Sequence, residues 1–264
     1  MQSTPVICFM EVAGVLFLVL FLCPHKQVCP SWTENKKGWL IVMKQTKTPR
    51  IHSMVECALL IALGYVLSYI PLFRMPHGGS ITMVSMAPIL LIGFRQSPRW
   101  ALLSSFAYSL VQLLFGVQDL AYCQSLAAVV GCILLDFVLG FTVLGLAGWI
   151  GRLFPWPAVG VACGSFLVCL MRYLCSFVSG YLVWRDYDYA VAWLAQVELL
   201  DKVASLGESA VCWIYSALYN ASYMLPETVI TCAAMVVLYL LMPWMFKRVQ
   251  KKPVDATVST FSIL

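Results

Sequence analysis

The stretch CQSLAAVVGCILLDFVLGFTVLGLAGWI, residues 123–150, decides the fold class of this chain. It is long enough to cross a bilayer as a helix, which takes about 20 apolar residues. Its one charged side chain, Asp136, lies near the centre. A lone carboxylate among lipid tails costs roughly 2.5–3.5 kcal/mol on insertion scales, so an intramembrane acid is by default a functional-site hypothesis. The sequence therefore predicts a membrane helix whose acid faces a partner or a ligand.

The composition extends this interpretation to the whole chain. Of the 264 residues, 61% are hydrophobic and 11% are charged, whereas soluble domains are about 25% charged. The net charge of +5 does not indicate nucleic-acid binding, because the basic residues cluster beside apolar runs as the positive-inside rule expects. The chain is predicted to be an all-α, polytopic membrane protein.

Apolar runs and their flanking breakers predict six membrane helices. They span about 53–71, 80–94, 98–116, 123–150, 157–184 and 212–246. The basic clusters place both termini of this six-helix unit in the cytoplasm. The loops 72–79 and 185–208 then lie outside, and the second of these is apolar enough to form a short amphipathic helix over the outer mouth, as a lid or merely resting at the interface.

The ends of the chain are set apart from this unit. Residues 1–49 form an extension with an additional apolar segment at 6–23, which is either an extra membrane helix or lies upstream of a true start at Met43. The second interpretation is favoured, because the basic stretch after Met43 leads directly into an apolar helix. The substrate-binding membrane domain is predicted over 50–250, and the cytoplasmic tail over 251–264.

Polar side chains share one face of the fifth predicted helix. Helical spacing aligns a cation, a hydroxyl, a glycine and an aromatic ring, namely Arg172, Ser176, Gly180 and Trp184. Arg172 has a structural alternative, because it could pair with Asp136 and join two helices. Trp184 could likewise be an anchor at the headgroup level.

The sixth predicted helix carries a second polar face, and a loop adds further candidates. The helix presents Tyr215, Ser216, Tyr219, Asn220, Tyr223 and Glu227. Such groups need buried partners, which are either a ligand or neighbouring helices. In the loop MPHGGSITM, residues 75–83, Gly79 is conformationally permissive and Ser80 supplies a hydroxyl, so this loop could line a cavity.

A carboxylate surrounded by aromatic rings suits an organic cation, through Coulomb attraction and cation–π contact. The sequence contains no hydrolytic triad, metal-ligand spacing or phosphate-binding loop. No cofactor or metal is expected, the protein is not expected to be an enzyme, and ATP for any pumping must be used by other chains.

Four motifs together resemble one family. They are GGSITMVSMAPILLIGFR (78–95), LLDFVLGFTVLGLAG (134–148), RYLCSFVSGYLVW (172–184) and YSALYNASYMLPE (215–227). In this order they resemble the thiamine-specific substrate-binding (S) component of energy-coupling factor (ECF) transporters, the ThiT/YuaJ family. The resemblance covers about 52–246 and implies a six-helix S-component bundle that binds thiamine near the outer face of the bacterial cell membrane.

The resemblance also implies roles for individual residues. Asp136 matches the family's ligand-pairing acid, and Phe137 stands where a tyrosine is usual. The other implied ligand residues are Gly180, Trp184, Tyr215, Ser216 and Asn220. Ser176 stands where the family usually has a histidine, which bears on ligand geometry and on the preference for thiamine over a related pyrimidine or thiazole compound.

The family docks on a transmembrane coupling subunit through small residues of its first helix. Ala58 and Ala62 fit that pattern, because small residues allow close helix approach; ordinary packing within the bundle is the alternative. The implied partners are thiamine, the coupling subunit, two ATPase subunits and the lipid bilayer, with no nucleic acid. Three rival functions stay open: an S component for another vitamin or precursor, an intramembrane enzyme using Asp136 and Arg172, and a purely structural membrane subunit.

Overall fold

The computed structural model of the chain describes residues 50–75, 79–82, 84–123, 125–199 and 203–246. The predicted N-terminal segment, the start at Met43 and the tail 251–264 lie outside these residues. Packing divides the chain into two units, 1–59 and 60–264. In the first unit the described residues, 50–59, are helical, and all the site residues discussed below except Ala58 belong to the second.

Four helices in the described part of the chain are long and apolar enough to cross a membrane. We name them α1 (Arg50–Ser68), α4 (Leu126–Gly151), α5 (Pro157–Leu182) and α7 (Glu208–Leu241). They correspond to the first, fourth, fifth and sixth predicted segments. The prediction of an all-helical membrane protein is confirmed at this level.

The second and third predicted segments are shorter. Helix α2, Ala87–Arg95, has nine residues and is only about 14 Å long at 1.5 Å per residue, too short to span a bilayer. The prediction that residues 80–94 form one segment is wrong, because Pro88 lies in the first turn of α2 and residues 80–82 form a strand. Helix α3, Pro98–Phe115, has 18 residues and buries three serines, Ser104, Ser105 and Ser109.

A β-hairpin occupies the predicted outer loop between α1 and α2. Strand β1, Pro71–Arg74, pairs antiparallel with β2, Ser80–Thr82. The amide of Met75 donates to the carbonyl of Gly79 at 3.1 Å, and Gly79 has φ +83°, a conformation that glycine adopts without steric cost. This two-stranded hairpin was not predicted, because its strands are too short to show an alternating pattern.

Helix α4 is interrupted twice along its length. Residues Ile133–Leu139 form a π-helical turn, and Val143–Leu146 form a 3₁₀ turn. The amide of Gly140 reaches back five residues to the carbonyl of Leu135, as in a π-helix. π-Turns are rare and frequently occur at functional sites, and this one carries Asp136.

A short helix, α6 (Tyr187–Gln196), covers part of α7 within the predicted outer loop 185–208. The Asp186 side chain caps it by accepting from the amide of Tyr189 at 3.0 Å. Ala190 and Leu194 are fully buried against α7, so the amphipathic helix expected in this loop is present. Short 3₁₀ turns follow α3, precede α7 and follow α7 (Val117–Tyr122, Ala204–Leu206 and Pro243–Met245).

Candidate functional site

Asp136 turns towards α5. Its Oδ2 accepts hydrogen bonds from the Ser179 hydroxyl at 2.5 Å and from the Trp184 indole Nε1 at 3.2 Å. The Cys132 thiol, one turn earlier on α4, is a further partner. Ser179 is fully buried, whereas Asp136 and Trp184 are half-buried. Neutral donors therefore hold the carboxylate, and it lies beside an aromatic ring.

Arg172 does not neutralise this carboxylate by direct contact. Its guanidinium lies over the ring of Phe141, 4.3 Å from the centroid. Within the described ranges it forms no ion pair with Asp136, although its charge still acts on that residue from a distance. The helix-joining pair considered from the sequence is absent from this part of the structure. No cation among the described residues therefore contacts this carboxyl group inside its apolar span.

The polar face of α7 lies against α5. Ser216 Oγ donates to the carbonyl of Phe177 at 2.7 Å. The Asn220 Nδ2 donates to the carbonyls of Ser216, at 2.9 Å, and Ser176, at 3.3 Å. The Tyr223 hydroxyl donates to Asn220 Oδ1 at 2.7 Å. The bonds to Phe177 and Ser176 join the two helices, as the interhelical alternative predicted, and the bonds within α7 help to fix the orientation of the Asn220 amide.

Gly180 allows α5 and α7 to approach closely at this point. A Cβ atom on Gly180 would overlap the Ser216 hydroxyl and lie 3.1 Å from Asn220 Nδ2. Gly180 also follows Ser179, which bonds to Asp136. The same turn of α5 therefore contacts both the carboxylate on α4 and the polar face of α7.

Tyr215 lies in an aromatic cluster between α6 and α7 rather than beside Asp136. Tyr189 and Trp193 of α6 meet its ring edge-on, each with centroids 5.6 Å apart, and Tyr219 lies next to it at 5.4 Å. Burial raises the pKa of the Tyr189 hydroxyl, so this group stays a neutral hydrogen-bond partner of Tyr215. Helix α6 thus covers the part of α7 that precedes Asn220.

The three other predicted ligand residues lie around these groups. The Phe137 ring packs against Gly116 at the end of α3, where a Cβ would come within 2.9 Å of it. Gly79 lies against the Tyr223 ring. Ser80 pairs with Arg74 in the hairpin.

The structure brings together most of the predicted residues around the last two turns of α5 and Trp184 just beyond its end. Asp136 and Trp184 form one group, whereas Ser176, Gly180, Ser216 and Asn220 form the adjoining one. Sequence reasoning missed Ser179, which lies seven residues after Arg172 and so on the same helical face. Among the residues that the structure describes, no three His, Cys, Asp or Glu side chains lie together as metal ligands would.

Comparison with known proteins decides the family. The sequence profile described as thiamine transporter protein (Thia_YuaJ) matches residues 54–247. The chain belongs to this family. The resemblance that the four motifs indicated, to the ThiT/YuaJ family of S components, is confirmed, and the chain is a multi-pass membrane transporter component rather than an enzyme.

Two relatives agree with this assignment. The chain is 27% identical over 207 residues to the thiamine transporter ThiT of Bacillus subtilis (strain 168), covering 78% of this chain and 98% of that protein. Its structure is similar to that of ThiT from Listeria monocytogenes, with a TM-score of 0.55 and 19% identity over 75% of this chain and 99% of that one. The structural likeness shows the fold alone.

Proposed function

We propose that this chain captures thiamine at the outer face of the bacterial membrane and delivers it to an ECF complex. The observation that carries the proposal is the carboxylate of Asp136, which is held by Ser179 and Trp184 and is in contact with no cation of the described part of the chain. Thiamine has a positively charged ring and an aminopyrimidine, and either can pair with a carboxylate. Thiamine would supply the positive charge that no described residue places in contact with Asp136.

The remaining site residues act on orientation and on ring contacts in this proposal. Trp184 stacks on a ligand ring while its N–H orients Asp136. Ser216 and Asn220, already fixed by their bonds to α5, keep the pocket wall in place. Helix α6 packs on the first half of α7 and the hairpin packs on Tyr223 and Glu227 near its middle, and in this proposal the two together close the mouth.

The proposed orientation rests on the positions of the basic residues. Arg95 ends α2, Arg99 begins α3 and Arg152 follows α4, so chain direction puts all three at one end of these helices. The positive-inside rule makes that end cytoplasmic. The hairpin and α6 are then outside, with α2 and α3 completing a six-helix S-component unit.

Calorimetric titration of the purified full-length chain in detergent tests the ligand. We expect saturable one-to-one binding of thiamine, with weaker competition by its separate pyrimidine and thiazole halves and none by riboflavin. Ser176 in place of the usual histidine favours one other candidate, a thiamine precursor. Tighter binding of the pyrimidine half than of thiamine would establish that alternative, and absence of binding by all of these compounds would reject the proposal.

Uptake tests the proposed coupling to a transmembrane subunit and two ATPase subunits. Ala58 and Ala62 lie one turn apart on α1 and are both exposed, as a docking stripe of small residues requires. We expect Ala58→Trp or Ala62→Trp to abolish thiamine uptake in cells while thiamine binding by the purified variant is unchanged. Normal uptake by both variants would exclude this docking face.

A further inference from the structure

A second carboxylate, Glu227, is buried in α7, two turns beyond Asn220. Its side chain is only 3% exposed, and it accepts a short hydrogen bond from the Thr82 hydroxyl. The Ser85 hydroxyl donates to the same oxygen at 3.4 Å, and its oxygen lies 2.6 Å from that of Thr82. Thr82 ends the hairpin and Ser85 precedes α2, so Glu227 binds both sides of one connection.

The backbone of that connection is strained. Val84, between the two hydroxyl residues, has φ +62°, and a β-branched side chain rarely adopts this region. Strained backbone persists only where surrounding contacts impose it. The paired bonds of Thr82 and Ser85 to Glu227 are the contacts that do so here.

The hairpin meets α7 at a second point, one helical turn away. Gly79 packs on the ring of Tyr223, where an added Cβ would lie 2.8 Å from ring carbons. Tyr223 and Glu227 are four residues apart and so share a face of α7. Because the Tyr223 hydroxyl donates to Asn220, the position of the hairpin is linked to a residue of the proposed thiamine site.

From these contacts we propose that Glu227 is a positioning residue that holds the hairpin on α7 through Thr82 and Ser85, and so slows the escape of bound ligand. This role rests on the proposed function, because it takes the hairpin as part of the cover of that site. Glu227 does not contact the ligand in this scheme. The role requires only its acceptor oxygen, so Glu227→Gln should preserve the position of the hairpin whereas Glu227→Leu should not.

The test uses the full-length chain in detergent with four variants: Glu227→Leu, Glu227→Gln, Thr82→Val and Thr231→Val. Thr231 is the matched control, since it is buried on the same face of α7 and its hydroxyl has no hydrogen-bond partner in the described structure. Two quantities are measured. They are hydrogen–deuterium exchange of the hairpin amides without ligand, and the rate of thiamine dissociation by stopped-flow fluorescence.

We expect Glu227→Leu and Thr82→Val to speed exchange of the hairpin amides by about tenfold, as loss of one buried hydrogen bond would. Thiamine dissociation should accelerate roughly fivefold or more in the same variants. Glu227→Gln and Thr231→Val should stay within about twofold of the unmodified chain, since Gln keeps an acceptor and Thr231 holds nothing in place.

Unchanged exchange of the hairpin amides in Thr82→Val would overturn the proposal. This result decides the matter even if Glu227→Leu does not fold. Equal impairment by Gln and Leu would overturn it too, because charge rather than the acceptor would then be responsible. If the unmodified chain does not bind thiamine, the proposed function fails, but exchange measured without ligand still decides the role of Glu227.

Discussion

Two carboxylates of the described membrane helices, Asp136 and Glu227, have opposite surroundings. Asp136 is half-buried on a π-turn of α4 and receives bonds from a hydroxyl and an indole N–H of the α5 segment. Glu227 is almost fully buried in a regular helix and receives hydroxyl bonds from both sides of a strained connection. One acid borders an aromatic ring, whereas the other is enclosed by the polypeptide.

This comparison separates two roles that an acid in a membrane helix can have. Each carboxylate must be offset by partners, since an ionised group in hydrocarbon is costly. Where the acid is almost fully enclosed and its partners belong to a loop connection, as for Glu227, it serves position. Where the acid stays partly accessible beside an aromatic ring, as for Asp136, it can receive a ligand. Four variants test this distinction.

The largest effect is expected from Gly180→Val, on the Asp136 side. The added side chain would overlap Ser216 and push α5 from α7, displacing Ser179 and Trp184 from the carboxylate. Thiamine affinity should fall by about a hundredfold or more, roughly 2.7 kcal/mol. Calorimetry measures this loss, and an affinity within about twofold of the unmodified chain would contradict the prediction. Some faster exchange of the hairpin is expected as well, because Gly180 borders Asn220, whose side chain bonds to Tyr223.

A smaller effect is expected from Trp184→Phe, which keeps an aromatic ring but removes the N–H that bonds to Asp136. Loss of one hydrogen bond costs about 0.5–1.5 kcal/mol, so thiamine affinity should fall roughly three- to tenfold. Trp213→Phe is the control, because Trp213 stacks on Tyr181 at 3.9 Å. Equal losses in both variants would mean that ring packing, and not the bond to Asp136, matters.

The smallest effect is expected on the Glu227 side, from Val84→Gly. Strain at such a backbone position costs of order 1–3 kcal/mol, which Gly would relieve. Part of this gain is lost because glycine has more conformational freedom in the unfolded chain. The free energy of unfolding should therefore rise by about 1 kcal/mol, seen as a higher thermal midpoint. Val161→Gly, at a fully buried position of α5, should lower the midpoint. A lower thermal midpoint in Val84→Gly would show that the backbone at this position is not strained.

Local pattern in the sequence was enough for the long helices and for part of the site. The apolar run around Asp136 predicted α4, and helical spacing placed Ser176 and Gly180 on one face of α5. Both predictions use information within a few turns of helix, where period and length determine the outcome.

Contacts between distant segments could not be predicted in the same way. Thr82 and Glu227 are 145 residues apart, and no periodicity relates them. The π-turn around Asp136 changes which residues face α5 without changing the apolar pattern. The hairpin has strands of four and three residues, too short for an alternating signal.

Calorimetric titration of thiamine into the unmodified chain, Asp136→Asn and Glu227→Gln most directly tests whether Asp136 is the acid that receives the ligand. We predict one-site saturation of the unmodified chain and at least about tenfold weaker binding by Asp136→Asn, which is about 1.4 kcal/mol. Glu227→Gln should bind within about twofold of the unmodified chain. Equal affinity of Asp136→Asn and the unmodified chain, or no saturation by thiamine at all, would contradict the account.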